Sequence, residues 1–96
     1  MFVLITYDVN ITSENGGKRL RKVAKACQNY GKRVQNSVFE CVLSDTQFVT
    51  LRHELEKIID KENDSVRFYS FGKNRDRKII TIGKDVSIDV IGDLII

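Results

Sequence analysis

Ninety-six residues, 42% hydrophobic and 30% charged, suit one modest globular domain, because burial efficiency falls as chains shorten. A formal net charge of +3 is too mild to name a partner by itself, and no apolar run nears the ~20 residues of a membrane span. The N-terminal apolar stretch is too short for a signal-peptide core and lacks a basic lead-in, so a cytoplasmic protein is expected. Cys27 and Cys41 have neither metal-ligand nor redox-pair spacing, which predicts reduced thiols in the core.

Phe2–Tyr7 is too apolar to alternate and reads as a strand buried on both faces, ending in Asp8. Asn10–Gly17 is a polar loop in which Thr12 or Ser13 can start a helix. From Lys18 to Tyr30 the period is helical, with Leu20, Val23, Ala24 and Cys27 as the apolar stripe and Gly31 as C-cap. Val34–Leu43 reads as strand, and Asn36–Ser37 either turns it into a hairpin or marks a bulge. Ser44 and Gln47 fit a capping box for a second helix, whose stripe is Phe48, Leu51, Leu55, Ile58 and Ile59 up to about Lys61. Asn63–Asp64 breaks it. Ser65–Phe71 follows as strand, Gly72–Lys78 as basic loop, Ile79–Ile82 as strand and Val86–Ile96 as a further extended segment.

The order β-α-β-β-α-β predicts an α+β, ferredoxin-like domain with both helices on one face of an antiparallel-rich sheet and the first strand central. Residues 1–96 form one domain, with 1–78 as core and 79–96 as a C-terminal strand extension. An added strand has unpaired edge groups, which predicts a contact with a partner or with a second copy in a homodimer.

A carboxylate at a strand end has two uses: it holds a metal ion, or it accepts from backbone amides in the turn that follows. Asp8 is the only acid near the first strand, so one chain supplies a weak Mg²⁺ site that a second Asp8 across a two-fold axis would complete. Asn15–Phe39 contains no acid, while Lys18, Arg21, Lys22 and Lys25 recur opposite the apolar stripe. Like charges four apart weaken an isolated helix by roughly 0.2–0.5 kcal/mol per pair, and a phosphate backbone would relieve them. Lys32 and Arg33 extend this patch past the helix end, and Lys73, Arg75, Arg77 and Lys78 make a weaker cluster around Asp76. His53, the only histidine, falls on the polar side of the second helix. Tyr7 and Ser37 flank the candidate site and can orient a phosphate or bond backbone. No Ser/His/Asp, Cys/His or phosphate-loop constellation is present, so acyl transfer and nucleotide hydrolysis have no support.

Four blocks occur in order: Tyr7–Asp8–Val9, Arg19 through Lys25, Tyr30 through Glu40, and Asp64 through Tyr69. Together they make the chain resemble the CRISPR-associated protein two family, most closely its subtype I-C branch. The resemblance implies a ferredoxin-like homodimer in which two Asp8 carboxylates face each other and bind Mg²⁺, with Mn²⁺ as substitute. It implies a metal-dependent endonuclease acting on single-stranded RNA or double-stranded DNA, and a partnership with the CRISPR integrase, CRISPR-associated protein one, in spacer acquisition. Tyr7, Arg33 and Phe39 fall on positions the family associates with activity beside Asp8. Basic residues near the start of the first helix are implicated too. The loop Asn10–Gly17 does not align with shorter members, so that role falls among Lys18, Arg19, Arg21 and Lys22. A non-catalytic scaffold bridging DNA and integrase is the competing expectation, and a toxin-like messenger-RNA interferase is a third.

Overall fold

The chain forms β1 (Phe2–Asp8), α1 (Gly16–Gln28), β2 (Gly31–Gln35), β3 (Val38–Val42), α2 (Asp45–Ile58), β4 (Ser65–Phe71) and β5 (Arg77–Gly83). This computed structural model describes residues 1–71 and 77–84, so most of the expected basic loop and the whole segment Val86–Ile96 lie outside the described residues. The strands make one antiparallel sheet in the order β2-β3-β1-β4-β5, with the apolar first strand in the middle as expected.

Side chains alternate across the sheet, so the pairing register sorts them into two faces. One face carries Val3, Ile5 and Tyr7 from β1, Phe39 and Cys41 from β3, Val66 and Phe68 from β4, and Ile82 from β5. These pack with Val23, Ala26 and Cys27 of α1 and with Leu51, Leu55 and Ile59 in and after α2 as a single core. Phe48 of α2 meets Phe68 edge-on, with ring centroids 5.5 Å apart. Each fully buried Leu, Ile or Phe contributes about 1.5–3 kcal/mol, so this helix-side layer dominates the stability.

The other face is not covered by the helices. It runs in rows across the strands: Val42–Phe2–Phe71, then Glu40–Leu4–Tyr69–Ile79, then Val38–Thr6–Arg67–Thr81, and finally Asp8–Ser65–Gly83. Val42 is 77% exposed, and Phe2 and Phe71 stand against one another in solvent with ring centroids 5.9 Å apart. The expectation that β1 is buried on both faces is therefore corrected. Its apolar character is uniform, but only the residues facing the helices are enclosed within one chain.

Local details also differ from the sequence reading. α1 begins after Asn15, which adopts φ 60° without a side-chain cap, and neither Thr12 nor Ser13 caps it. It ends at Asn29, so Gly31 is not its C-cap but the first residue of β2. A side chain at Gly31 would collide with the Cys41 thiol and the Glu40 carbonyl, so close strand approach requires the glycine. Between β2 and β3 the hairpin reading holds, with Asn36–Ser37 as the turn, and the register irregularity falls earlier, between Arg33 and Gln35. The capping box of α2 forms as read, with Gln47 N donating to Ser44 Oγ (3.1 Å) and Ser44 N to Gln47 Oε1 (2.9 Å).

One buried anion fastens the connections. Asp64 is fully enclosed and accepts from Asn10 N at 3.0 Å, Asp60 N at 2.9 Å, and Arg19 Nε at 2.7 Å. Burial alone would push its carboxyl up. The Arg19 guanidinium and the amides of Asp60 and Asn10 outweigh that and hold it below the usual carboxylate range. A carboxyl lowered by folding stabilises above its unfolded value, about pH 4, and that stability is lost as pH falls through the folded value. Asp64→Ala leaves the Asn10 and Asp60 amides and the Arg19 guanidinium without their acceptor and should cost about 3 kcal/mol in urea unfolding at pH 7. Asp64→Asn should unfold with a shallower acid dependence than the wild type below pH 4.

Candidate metal and nucleic-acid site

Asp8 is the last residue of β1, and strand parity puts its side chain on the open face, exposed, beside Ser65. The strand end is held from both sides. Tyr7 N donates to Ser37 O at 3.1 Å, and Asn10 N donates to the Asp64 carboxylate. Asp8 and Ser65 line two hollows. One, of about 210 Å³, is lined by Thr6, Tyr7, Asp8, Ser65, Arg67 and Tyr69. The other, of about 420 Å³, is lined by Asn10, Asn63 and Lys84 together with the same Asp8 and Ser65. Ser65, Arg67, Tyr69, Asn63 and Lys84 were not singled out by the sequence. The available signal was the polar phase of β4, Ser65–Arg67–Tyr69, alternating with Val66 and Phe68.

Among the described residues no three His, Cys, Asp or Glu side chains gather to hold a metal ion. Mg²⁺ takes one or two carboxylates, keeps several waters and completes its shell from phosphate, so a lone exposed Asp8 fits a hydrated ion shared with substrate or a second copy. His53 is exposed on α2, in the layer that covers the other face of the sheet. Both thiols are buried; burial, with Cys41 and Glu54 adding and Arg33 opposing, pushes Cys27 up to about 12, and burial raises Cys41. Neither is a nucleophile at neutral pH.

Tyr7, Arg33 and Phe39 come together, but on the helix side of the sheet and not beside the Asp8 carboxylate. The rings of Tyr7 and Phe39 stack at 6.1 Å, and the Arg33 guanidinium lies 5.2 Å from the Phe39 ring centroid. Tyr7 Oη donates to Asn36 O at 3.2 Å. Burial pushes the Tyr7 phenol up, and Arg33 opposes the shift. Phe39 is wholly buried and Tyr7 nearly so, and they brace the strand end and the Asn36–Ser37 turn.

Lys18, Arg21, Lys22 and Lys25 are all exposed on one face of α1. Arg19 is not part of that face. Its guanidinium is committed to Asp64, Ser13 Oγ and the Glu14 carbonyl, because it lies on the flank of the helix that meets the loop. Lys32 pairs across from Glu40 on the open face of the sheet, so it does not continue the helix patch as the sequence reading had it. Glu54 of α2 lines a hollow with Lys22 and Lys25, so packing brings α1 an acid that its own sequence lacks.

Comparison with known proteins agrees with this architecture. The family model described as CRISPR associated protein Cas2 matches residues 1–79. A relative from Halalkalibacterium halodurans, named CRISPR-associated endonuclease Cas2, is 58% identical over 99% of both chains. One from Rhodospirillum rubrum, named CRISPR-associated endoribonuclease Cas2 3, is 48% identical over 98% of this chain and 99% of its own. The crystal structure of Streptococcus pyogenes Cas2 at pH 6.5 superposes with a TM-score of 0.70 at 58% identity, covering 77% of this chain and 89% of that one. With an antiparallel five-stranded sheet, two helices on one face and this extent of identity, the chain belongs to the CRISPR-associated Cas2 family.

Proposed function

We propose that this chain is a Mg²⁺-dependent endonuclease of the CRISPR spacer-acquisition machinery, working in the cytoplasm as a ferredoxin-like homodimer of the subtype I-C branch alongside the CRISPR integrase. The observation that carries the reading is the position of Asp8: exposed, at the end of the central strand, on a face whose apolar side chains no helix covers. An exposed row such as Val42–Phe2–Phe71 is an association surface, and a second copy packed there has the chemistry to cover it. The names of the relatives support cleavage of a phosphodiester, with RNA and DNA both represented.

Each residue then has a task. Asp8 would hold the hydrated ion, which would supply polarisation of the phosphodiester and activation of water. Ser65, opposite Asp8, offers a hydroxyl to a phosphate oxygen or a metal-bound water. Tyr7 and Phe39 act as positioning residues by locking the strand end, and Arg33 caps that stack. Lys18, Arg21, Lys22 and Lys25 hold the polyanion without reading its bases. One specific observation favours the scaffold reading instead. Among the described residues the site presents one carboxylate and no nearby histidine, so gripping DNA between integrase subunits needs nothing more than the basic face.

Asp8→Asn decides between them. Cleavage in Mg²⁺ should fall about 100-fold or more, the rate equivalent of losing several kcal/mol of charge stabilisation. Full activity in this variant would remove Asp8 from the chemistry, and lost cleavage with intact spacer uptake in cells would establish the scaffold. Sedimentation should show two copies in the wild type and one in Phe71→Glu, which puts a charge into the apolar row. Reversing Lys18, Arg21, Lys22 and Lys25 to Glu should abolish DNA retention on filters and flatten its salt dependence by about 0.9 in slope per lost phosphate contact. Unchanged retention would place the nucleic acid elsewhere.

A further inference from the structure

Two arginines flank the end of β1, and they belong to different faces. Arg33 lies over Phe39 on the helix side, whereas Arg67 sits opposite Thr6 on the open face, one row from Asp8. Diagonal neighbours across strands are about 7–8 Å apart, within reach of a long side chain, yet the Arg67 guanidinium forms no ion pair with Asp8. The ion pairs among the described residues are Arg19–Asp64 and Arg52–Glu56. Arg67 has no carboxylate partner and no side-chain hydrogen bond among them, although it is half-buried beside Tyr69 in the smaller hollow. A guanidinium presents five donors in a planar fork, and two phosphate oxygens satisfy that fork in a way that a single water does not.

The volume of the hollow, about 210 Å³, narrows the ligand. It falls below the roughly 300–1,000 Å³ of clefts that enclose a drug-sized molecule, and it has room for a phosphate group with a hydrated ion. It also lies at the polar end of the face. Six residues of β1 separate Asp8 from the Phe2 row, about 20 Å at ~3.4 Å per residue, so the apolar row and the hollow do not compete for space.

We propose that Arg67 is a phosphate-binding residue of the Asp8 site, gripping the non-bridging oxygens of the phosphodiester whose cation Asp8 holds. The cation half of this statement rests on the reading of Asp8 given above; the phosphate half rests on Arg67 alone. In hydrolysis a water oxygen bonds to phosphorus, the ester P–O bond breaks, and the proton from water ends on the departing oxygen. Arg67 stays protonated throughout and stabilises the charge that grows on the non-bridging oxygens.

The test uses the full-length protein with a 5′-phosphorylated thymidine dinucleotide in Mg²⁺. The Nε–H resonance of Arg67, identified by its loss in Arg67→Lys, should move on titration. Arg67→Gln should keep the wild-type melting temperature and Mn²⁺ affinity while kcat falls about 100-fold, the scale for losing one preorganised donor to a developing oxyanion. Arg67→Lys should recover part of the rate. A resonance that does not move, or an Arg67→Gln enzyme as fast as wild type, overturns the proposal. So does an Arg67→Gln protein that merely falls apart into single copies while the dinucleotide shift is absent in wild type. Movement of the resonance in Asp8→Asn together with undiminished cleavage would remove the Asp8 reading and leave Arg67 as the phosphate site.

Discussion

A buried carboxylate organises the end of the molecule where chemistry is expected. Asp64 is enclosed and receives donors from three separate segments: the loop after β1 through Asn10, helix α1 through Arg19, and the turn after α2 through Asp60. Its neighbour Ser65 opens β4 directly across from Asp8. A buried ion pair is a weak source of net stability, because desolvation offsets most of the attraction. It is a strong source of geometry, because any displacement of one segment leaves an unpaired charge or amide in a dry interior. The position of Asp8 therefore follows from a network that Asp8 itself does not join.

The sheet separates two kinds of surface. On the helix side, side chains of β1, β3 and β4 are closed into a dry core with both thiols held protonated. On the open side, the rows grade from Val42–Phe2–Phe71 at one end to Arg67, Ser65 and Asp8 at the other. The proposed homodimer contact uses the apolar end of this face, and the proposed ion and phosphate contacts use its polar end. Tyr7 and Phe39 bridge the two roles. They lie in the core and stiffen the strand whose last residue faces solvent.

The basic helix and the carboxylate occupy opposite faces of the sheet but the same end of the molecule. α1 begins against Asn10 and Ile11, where Gly16 leaves no room for a side chain, so Lys18 in its first turn stands near the loop that leaves Asp8. Under the proposed function, a polyanion held along α1 would reach the Asp8 hollows around the end of β1. Glu54 in the groove beside Lys22 and Lys25 moderates the repulsion within the stripe.

Much of this was legible from residue order alone, and the reason is that it depends on local rules. The capping box at Ser44, the two helical stripes and the strand at Ser65–Phe71 follow from periodicity and side-chain hydrogen bonding over a few residues. Asp8 stood out because an apolar strand ended in an acid, and the family followed from blocks spread along the chain. What depended on distant contacts was decided only by the fold. Arg19 reads as one more cation on a basic helix until Asp64, 45 positions away, takes its guanidinium. Lys32 and Arg33 are neighbours in sequence, yet strand alternation sends them to opposite faces. Arg67 acquires its meaning from antiparallel register, which sets it one row from Asp8, and register is a property of the assembled sheet that no stretch of β4 specifies by itself.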